Sequence, residues 1–316
     1  MLNGETLNSD KKFFSKIGLN YLIYVVSAII IQIILINLFV LMNINIFSDY
    51  NALTILSAIC NYVLPFPILL FLMKKLESED LKKQSIGIKS FIRYIAIAFT
   101  LMWFGNIIGL AITSLISAAA PFDITNPVEN LINSTDIWLN LLLISIIGPI
   151  FEEIIFRKLL IDRTIKYGAK ISIILSALIF GFAHGNLNQF FYAFLIGGFL
   201  AYVYIKTGKL IYPILLHITV NLMGSVVSLF VGASAQNLIS GQILPTDLAI
   251  VTIYLLVILV AFMIGLYSLW KYRNVKLDHI KTEITLTQPF RTIILNYGMI
   301  LFIGFCIFEI IYQIIR

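Results

Sequence analysis

"GPIFEEIIFRK", residues 148–158, closes an apolar run that begins near residue 137, and it decides how the whole chain is read. A lone charge at the centre of a transmembrane helix costs about 2.5–3.5 kcal/mol on insertion scales. Two adjacent carboxylates, Glu152 and Glu153, therefore need partners or a task. Arg157 follows Glu153 at i,i+4, so the two can pair along one helix face. Glu152 is rotated from Glu153 by about 100° and points elsewhere. One carboxylate can be held by arginine while its neighbour faces a cavity.

Composition sets the context. Sixty per cent of the residues are hydrophobic and 12% are charged, against about a quarter charged in ordinary soluble domains. Apolar runs long enough to cross a bilayer core of about 30 Å recur along the chain. The fold class expected is all-α, a polytopic transmembrane helical bundle of about nine spans. These lie near residues 17–43, 51–73, 91–117, 137–157, 170–186, 189–205, 210–231, 248–270 and 292–314. The polar stretch ahead of a long first run reads as the lead into an uncleaved span. All of the 22 basic residues except Arg316 precede the first span or follow the second, fourth, sixth and eighth. By the positive-inside rule the N-terminus is cytoplasmic. The net charge of +6 is then the orienting charge of those loops, drawn to anionic lipid. Membrane lipid is an expected partner and nucleic acid is not. Three regions are expected: helices over 1–136, a core over 137–231, and helices over 232–316. Cys60 and Cys306 fall in apolar runs and read as buried thiols.

Few ionisable residues are left inside the spans. Of the 16 acidic residues, only Glu152, Glu153 and Glu309 lie there, and of the 3 histidines only His184 and His217. Glu309 reads as a side chain reaching for the outer interface, and His279 as part of a basic loop. Phe180 and His184 are i,i+4, flanked by Gly181 and Gly185 at a spacing that permits close helix approach. His217 and Asn221 are also i,i+4, and Pro213 just before them is expected to kink that helix. Counting the rise per residue from the nearest basic residue places Glu152, His184, His217 and Asn221 at overlapping depths, toward the cytoplasmic half. Such pairs can be architectural, but three of them on three spans favour a site. Ser234, in "VGASAQ", reads as a loop serine rather than a nucleophile.

Glu-Glu-x-x-x-Arg at 152–157, Phe-x-x-x-His at 180–184 and His-x-x-x-Asn at 217–221 resemble, in this order, the motifs of the CAAX-protease and bacteriocin-processing (CPBP, or Abi) family. The resemblance spans roughly residues 137–231. It implies an intramembrane endopeptidase, acting near the cytoplasmic half of the membrane on a membrane-associated peptide or protein. Glu152 and His184 would activate a water, Glu153 and Arg157 would support that carboxylate, and His217 and Asn221 would stabilise the oxyanion. One carboxylate and two imidazoles also match the ligand set of a catalytic zinc ion, so a zinc-type divalent metal or no cofactor both stay open. Within the same resemblance stands a second reading, a membrane regulator or bacteriocin-immunity protein that binds without cutting. A proton-relay transporter is a third, and no inverted repeat supports it. Abundant Ile, Asn and Lys suggest an AT-rich bacterial genome and hence a bacterial plasma membrane.

Overall fold

A computed structural model describes residues 2–119, 127–273 and 284–315, and these are helical with no strand among them. In chain order the main helices are α1 (Leu7–Leu41), α2 (Tyr50–Lys74), α3 (Ile88–Ala119), α4 (Ile137–Tyr167), α5 (Ala169–Ala183), α6 (Leu187–Thr207), α7 (Ile211–Ile239), α8 (Pro245–Lys271) and α9 (Tyr297–Ile315). All but α5 are long and apolar enough to cross a membrane. At 15 residues, α5 is only about 22 Å long. It rises beside α6 and stops inside the bundle at the turn Gly185–Asn186. His279, read above as part of a basic loop, and the basic residues Lys276, Lys281 and Arg316 lie outside the described residues.

The polar ends of the helices sort into two faces. On the basic face the Gln84 amide donates to the Thr207 carbonyl at 2.7 Å, Ile284 to Lys166 at 2.8 Å, and the Tyr167 hydroxyl to Asp10 at 2.8 Å. On the opposite face Asn51 donates to Asp136 at 2.6 Å and the Thr54 and Thr135 hydroxyls meet at 2.9 Å. This segregation matches the two-faced distribution of basic residues along the chain and fits an integral membrane protein. Toward the basic face the bundle is filled. Phe14, Ile17, Tyr21, Leu69, Met73 and Leu160 pack there with no solvent exposure.

Small residues set the closest crossings, as expected where lipid supplies no hydrophobic drive between helices. A Cβ on Gly18 of α1 would lie 2.5 Å from the Gly298 carbonyl carbon of α9. A Cβ on Gly109 of α3 would lie 2.9 Å from the Asn188 carbonyl oxygen of α6. By contrast α8 leans only on α3, at Gly265 against Thr100, and on the end of α7, where Asn237 donates to Asp247 at 3.0 Å, and it exposes most of its apolar surface to lipid.

Four stretches take the wider π-helical register: Ile59–Val63 in α2, Asn140–Ile147 and Ile154–Lys158 in α4, and Met223–Val227 in α7. Such bulges leave carbonyls to be satisfied from outside the helix. Tyr24 donates to Asn61 O at 2.6 Å, Tyr21 to Ile155 O at 2.6 Å, and Ser176 to Phe156 O at 2.8 Å. Pro149 explains a further case. Gly148 N–H bonds back to Leu143 O in the π register. The next bond in that register would run from residue 149 to Ile144 O, but proline has no N–H. Ile144 O instead accepts Asn221 Nδ2 at 3.0 Å.

Two local expectations are corrected. Pro213 sits in the first turn of α7, where a missing N–H costs nothing, so it starts the helix instead of kinking it. Ser234 is not in a loop, because α7 runs on to Ile239 and buries it.

Candidate functional site

A cavity of about 550 Å³ opens between the helices, and Glu152, His184, His217 and Asn221 all line it. Each arrives by a local feature of its own helix. Glu152 lies near the end of the regular turn Gly148–Glu153, between the two π stretches of α4. His184 caps the end of α5, where Gly185 takes a positive φ of 58° and turns the chain back toward α6. Gly181, by contrast, is a close-approach glycine, its Cβ position 3.3 Å from Phe190 O. His217 and Asn221 share one face of α7, as their spacing requires.

Glu153 is fully buried and does not line the cavity. Arg157, also at 0% exposure, approaches it with Nε at 3.0 Å and an Nη donor at 3.1 Å. A second Nη donates to Ser176 at 3.2 Å, and the guanidinium lies 4.5 Å from the centre of the Phe180 ring. The pair is therefore closed on itself and fixed in orientation. Its outward contact is to His217: Glu153 Oε1 accepts from Nδ1 at 2.9 Å. Glu153 and Arg157 thus position the histidine, not the neighbouring Glu152 as the sequence suggested.

That bond fixes the tautomer of His217, because a carboxylate paired with arginine accepts and does not donate. Nε2 is left toward the cavity, 3.6 Å from Glu152 Oε2. His184 is fixed in the same way. Its Nδ1 lies 2.7 Å from the Phe180 carbonyl, which can only accept. In the neutral ring Nε2 then carries the free lone pair. The Phe180 ring packs edge-on against both imidazoles, with centroids at 4.6 Å and 5.7 Å.

Glu152 has a partner the sequence did not suggest. The Tyr62 hydroxyl donates to its Oε1 at 2.6 Å. Asn61–Tyr62, a polar pair inside an apolar span, was the signal available for it. Asn186, Gln189, Glu309 and Gln313 also line the cavity, so Glu309 borders an internal space instead of only an outer interface. Among the described residues no three His, Cys, Asp or Glu side chains are grouped to hold a metal ion. As arranged, Glu152, His184 and His217 do not form a ligand set.

The opening of the cavity departs from the expected depth. Its lining runs from mid-depth residues such as Ile196 and Val220 to Thr54, Ser57, Leu131 and Gln313, near the ends of their helices on the face opposite the basic loops. Toward the basic face the space is taken by the apolar packing around Phe14, Tyr21, Met73 and Leu160.

Residues 134–223 match the family described as type II CAAX prenyl endopeptidase Rce1-like. A relative in Bacillus subtilis (strain 168), named "Putative membrane peptidase YdiL", is 26% identical over 171 residues, 52% of this chain and 68% of the relative. No solved structure matches the chain. The matched segment contains the three motifs and every residue they bring to the cavity. Together with a fold of membrane-spanning helices, these matches support a membrane peptidase of the CAAX-endopeptidase kind, the similarity to Rce1-like proteins lying over residues 134–223.

Proposed function

We propose that this protein is an intramembrane endopeptidase that hydrolyses a membrane-associated peptide by water activated at Glu152 and His184, in a bacterial plasma membrane. The observation that carries this reading is the convergence of Glu152, His184, His217 and Asn221 on one cavity, with both imidazoles held in defined tautomers.

Each group has a task its contacts permit. Glu152 accepts a proton from water, while the free Nε2 of His184 accepts the water's second hydrogen and orients it. The resulting hydroxide attacks the peptide carbonyl carbon. His217 keeps Nδ1 bonded to Glu153, so that its Nε2 edge faces the developing oxyanion and, in the imidazolium form, donates to it. Asn221 spends one amide hydrogen on Ile144 O and keeps one for the same oxygen. As the intermediate collapses, the proton on Glu152 passes to the leaving amine, and the carboxylate returns to its bond with Tyr62.

The cavity's lining supports entry of the substrate from the outer half of the membrane or from that face. The test is cleavage of membrane-spanning peptides by the purified chain in lipid nanodiscs, read by mass spectrometry. Wild type should cut, and Glu152→Gln and His184→Ala should each lose about 10²–10⁴-fold in rate while inserting normally. Uncut peptides with wild type, or undiminished cutting by Glu152→Gln, would overturn the reading. Retained peptide binding without cutting would favour the regulatory alternative.

A further inference from the structure

The peptidase reading uses one end of the cavity and leaves the other unexplained. Glu309 is a carboxylate within α9, among the Rce1-like match's neighbours in space but outside its residues 134–223. It lies on the stripe Phe302, Cys306, Glu309, Gln313, whose first two members are buried in the core and whose last two border the cavity. No hydrogen bond or ion pair joins Glu309 to another described side chain. An intramembrane carboxylate without a partner is costly to retain. The cavity it faces holds two carboxylates, Glu152 and Glu309, and no lysine or arginine among its lining residues. The arginine that might have balanced them, Arg157, is committed to Glu153 behind the wall.

A second observation lies at the same end. A Cβ on Gly185 would come within 3.8 Å of Glu309 Cβ, so Glu309 stands beside the turn that follows His184. In that turn Asn186 is 4% exposed and lines the cavity. Its Oδ1 accepts the Asn188 amide at 2.8 Å, which fixes the side chain's orientation. Its Nδ2 donor is buried and has no partner. A buried donor left unmade is unfavourable unless something arrives to accept from it. Gln189 adds an acceptor, since its amide nitrogen is spent on Tyr192 at 2.8 Å.

We propose that this end of the cavity is a cation-recognising subsite: Glu309 takes the ammonium or guanidinium of a basic residue in the substrate, and Asn186 Nδ2 donates to a backbone carbonyl beside it. The proposal deepens the peptidase reading and rests on it for the identity of the ligand as substrate. It makes the enzyme selective for peptides with a lysine or arginine close to the bond that is cut. The low dielectric of the surroundings strengthens that pairing relative to water, and a peptide lacking the cation leaves Glu309 unpaired.

The probes are membrane-spanning peptides, identical except for one lysine, glutamine or glutamate scanned through the positions flanking the cut, presented to the full chain in nanodiscs. Wild type should cut the best lysine peptide about tenfold faster in kcat/KM than its glutamine twin, roughly the step that a single favourable charge contact provides. Glu309→Gln should bring that ratio to about one, and Glu309→Lys should reverse it toward a glutamate-bearing peptide. Binding of the same peptides to Glu152→Gln, followed by fluorescence anisotropy, should show the lysine preference without turnover and lose it in the double variant with Glu309→Gln. No lysine preference in either measurement, or equal loss of both peptides in Glu309→Gln, overturns the subsite. A preference in binding that depends on Glu309, with no cutting by wild type, upholds the subsite and overturns the peptidase reading instead.

Discussion

Removing the guanidinium of Arg157 would strand the Glu153 charge in a place with no exposure to water. Arg157→Met should therefore lower stability by about 3–5 kcal/mol, the usual cost of breaking a buried pair from one side, measured by thermal unfolding in nanodiscs. Replacing both partners together should cost less, because no orphan charge remains. Tyr62 makes the opposite kind of contact, at the edge of the cavity and to a carboxylate proposed to change protonation. Tyr62→Phe removes a hydrogen bond to a charged group, worth about 1.5–3 kcal/mol. We expect kcat to fall by about ten- to a hundredfold, with KM nearly unchanged, in steady-state peptide cleavage. The Glu153–Arg157 pair was legible because both residues sit on one helix at a fixed spacing. Tyr62 and the reach of Glu153 to His217 were not, since each joins helices far apart in sequence, where spacing carries no information.

At the scale of the element, the informative feature is the π register of α4. Pro149→Ala restores an N–H that can bond Ile144 O, in competition with Asn221 Nδ2. The expected outcome is a loss of about threefold to tenfold in kcat, within the value of one neutral hydrogen bond, and a normal melting temperature. The α1–α9 crossing should respond in the reverse way. Gly18→Val would push a side chain into the Gly298 backbone, and overpacking of this kind costs about 1–3 kcal/mol or more. Thermal unfolding should show that loss, while any surviving protein keeps its cavity chemistry. Helix positions were readable from hydropathy and the spread of basic residues, and the structure keeps the bundle with α5 shortened. The π stretches were not readable, because a wider register is imposed by donors on neighbouring helices such as Tyr21, Tyr24 and Ser176. The sequence of α4 alone is that of an ordinary apolar helix around a Gly-Pro step.

For the whole molecule, the decisive arrangement is the filled half beneath the open half. With Cys60 and Cys306 changed to alanine, a single cysteine at Gln313 should react with a membrane-impermeant maleimide added from outside right-side-out vesicles. The same reagent confined to the interior should leave it unlabelled. Labelling from inside alone would reverse the direction assigned to the opening. The face toward which the cavity opens could not be taken from the sequence, since it depends on where Phe14, Leu69, Met73 and Leu160 meet in space. That apolar floor has a consequence for what becomes of the products. If the chain cuts peptides as proposed, a vessel sealed on its cytoplasmic side would return both fragments to the compartment or leaflet from which the peptide came. Under the proposed peptidase reading, cleavage would trim its substrates in place, and any signal it produced would be read on the outer side of the membrane.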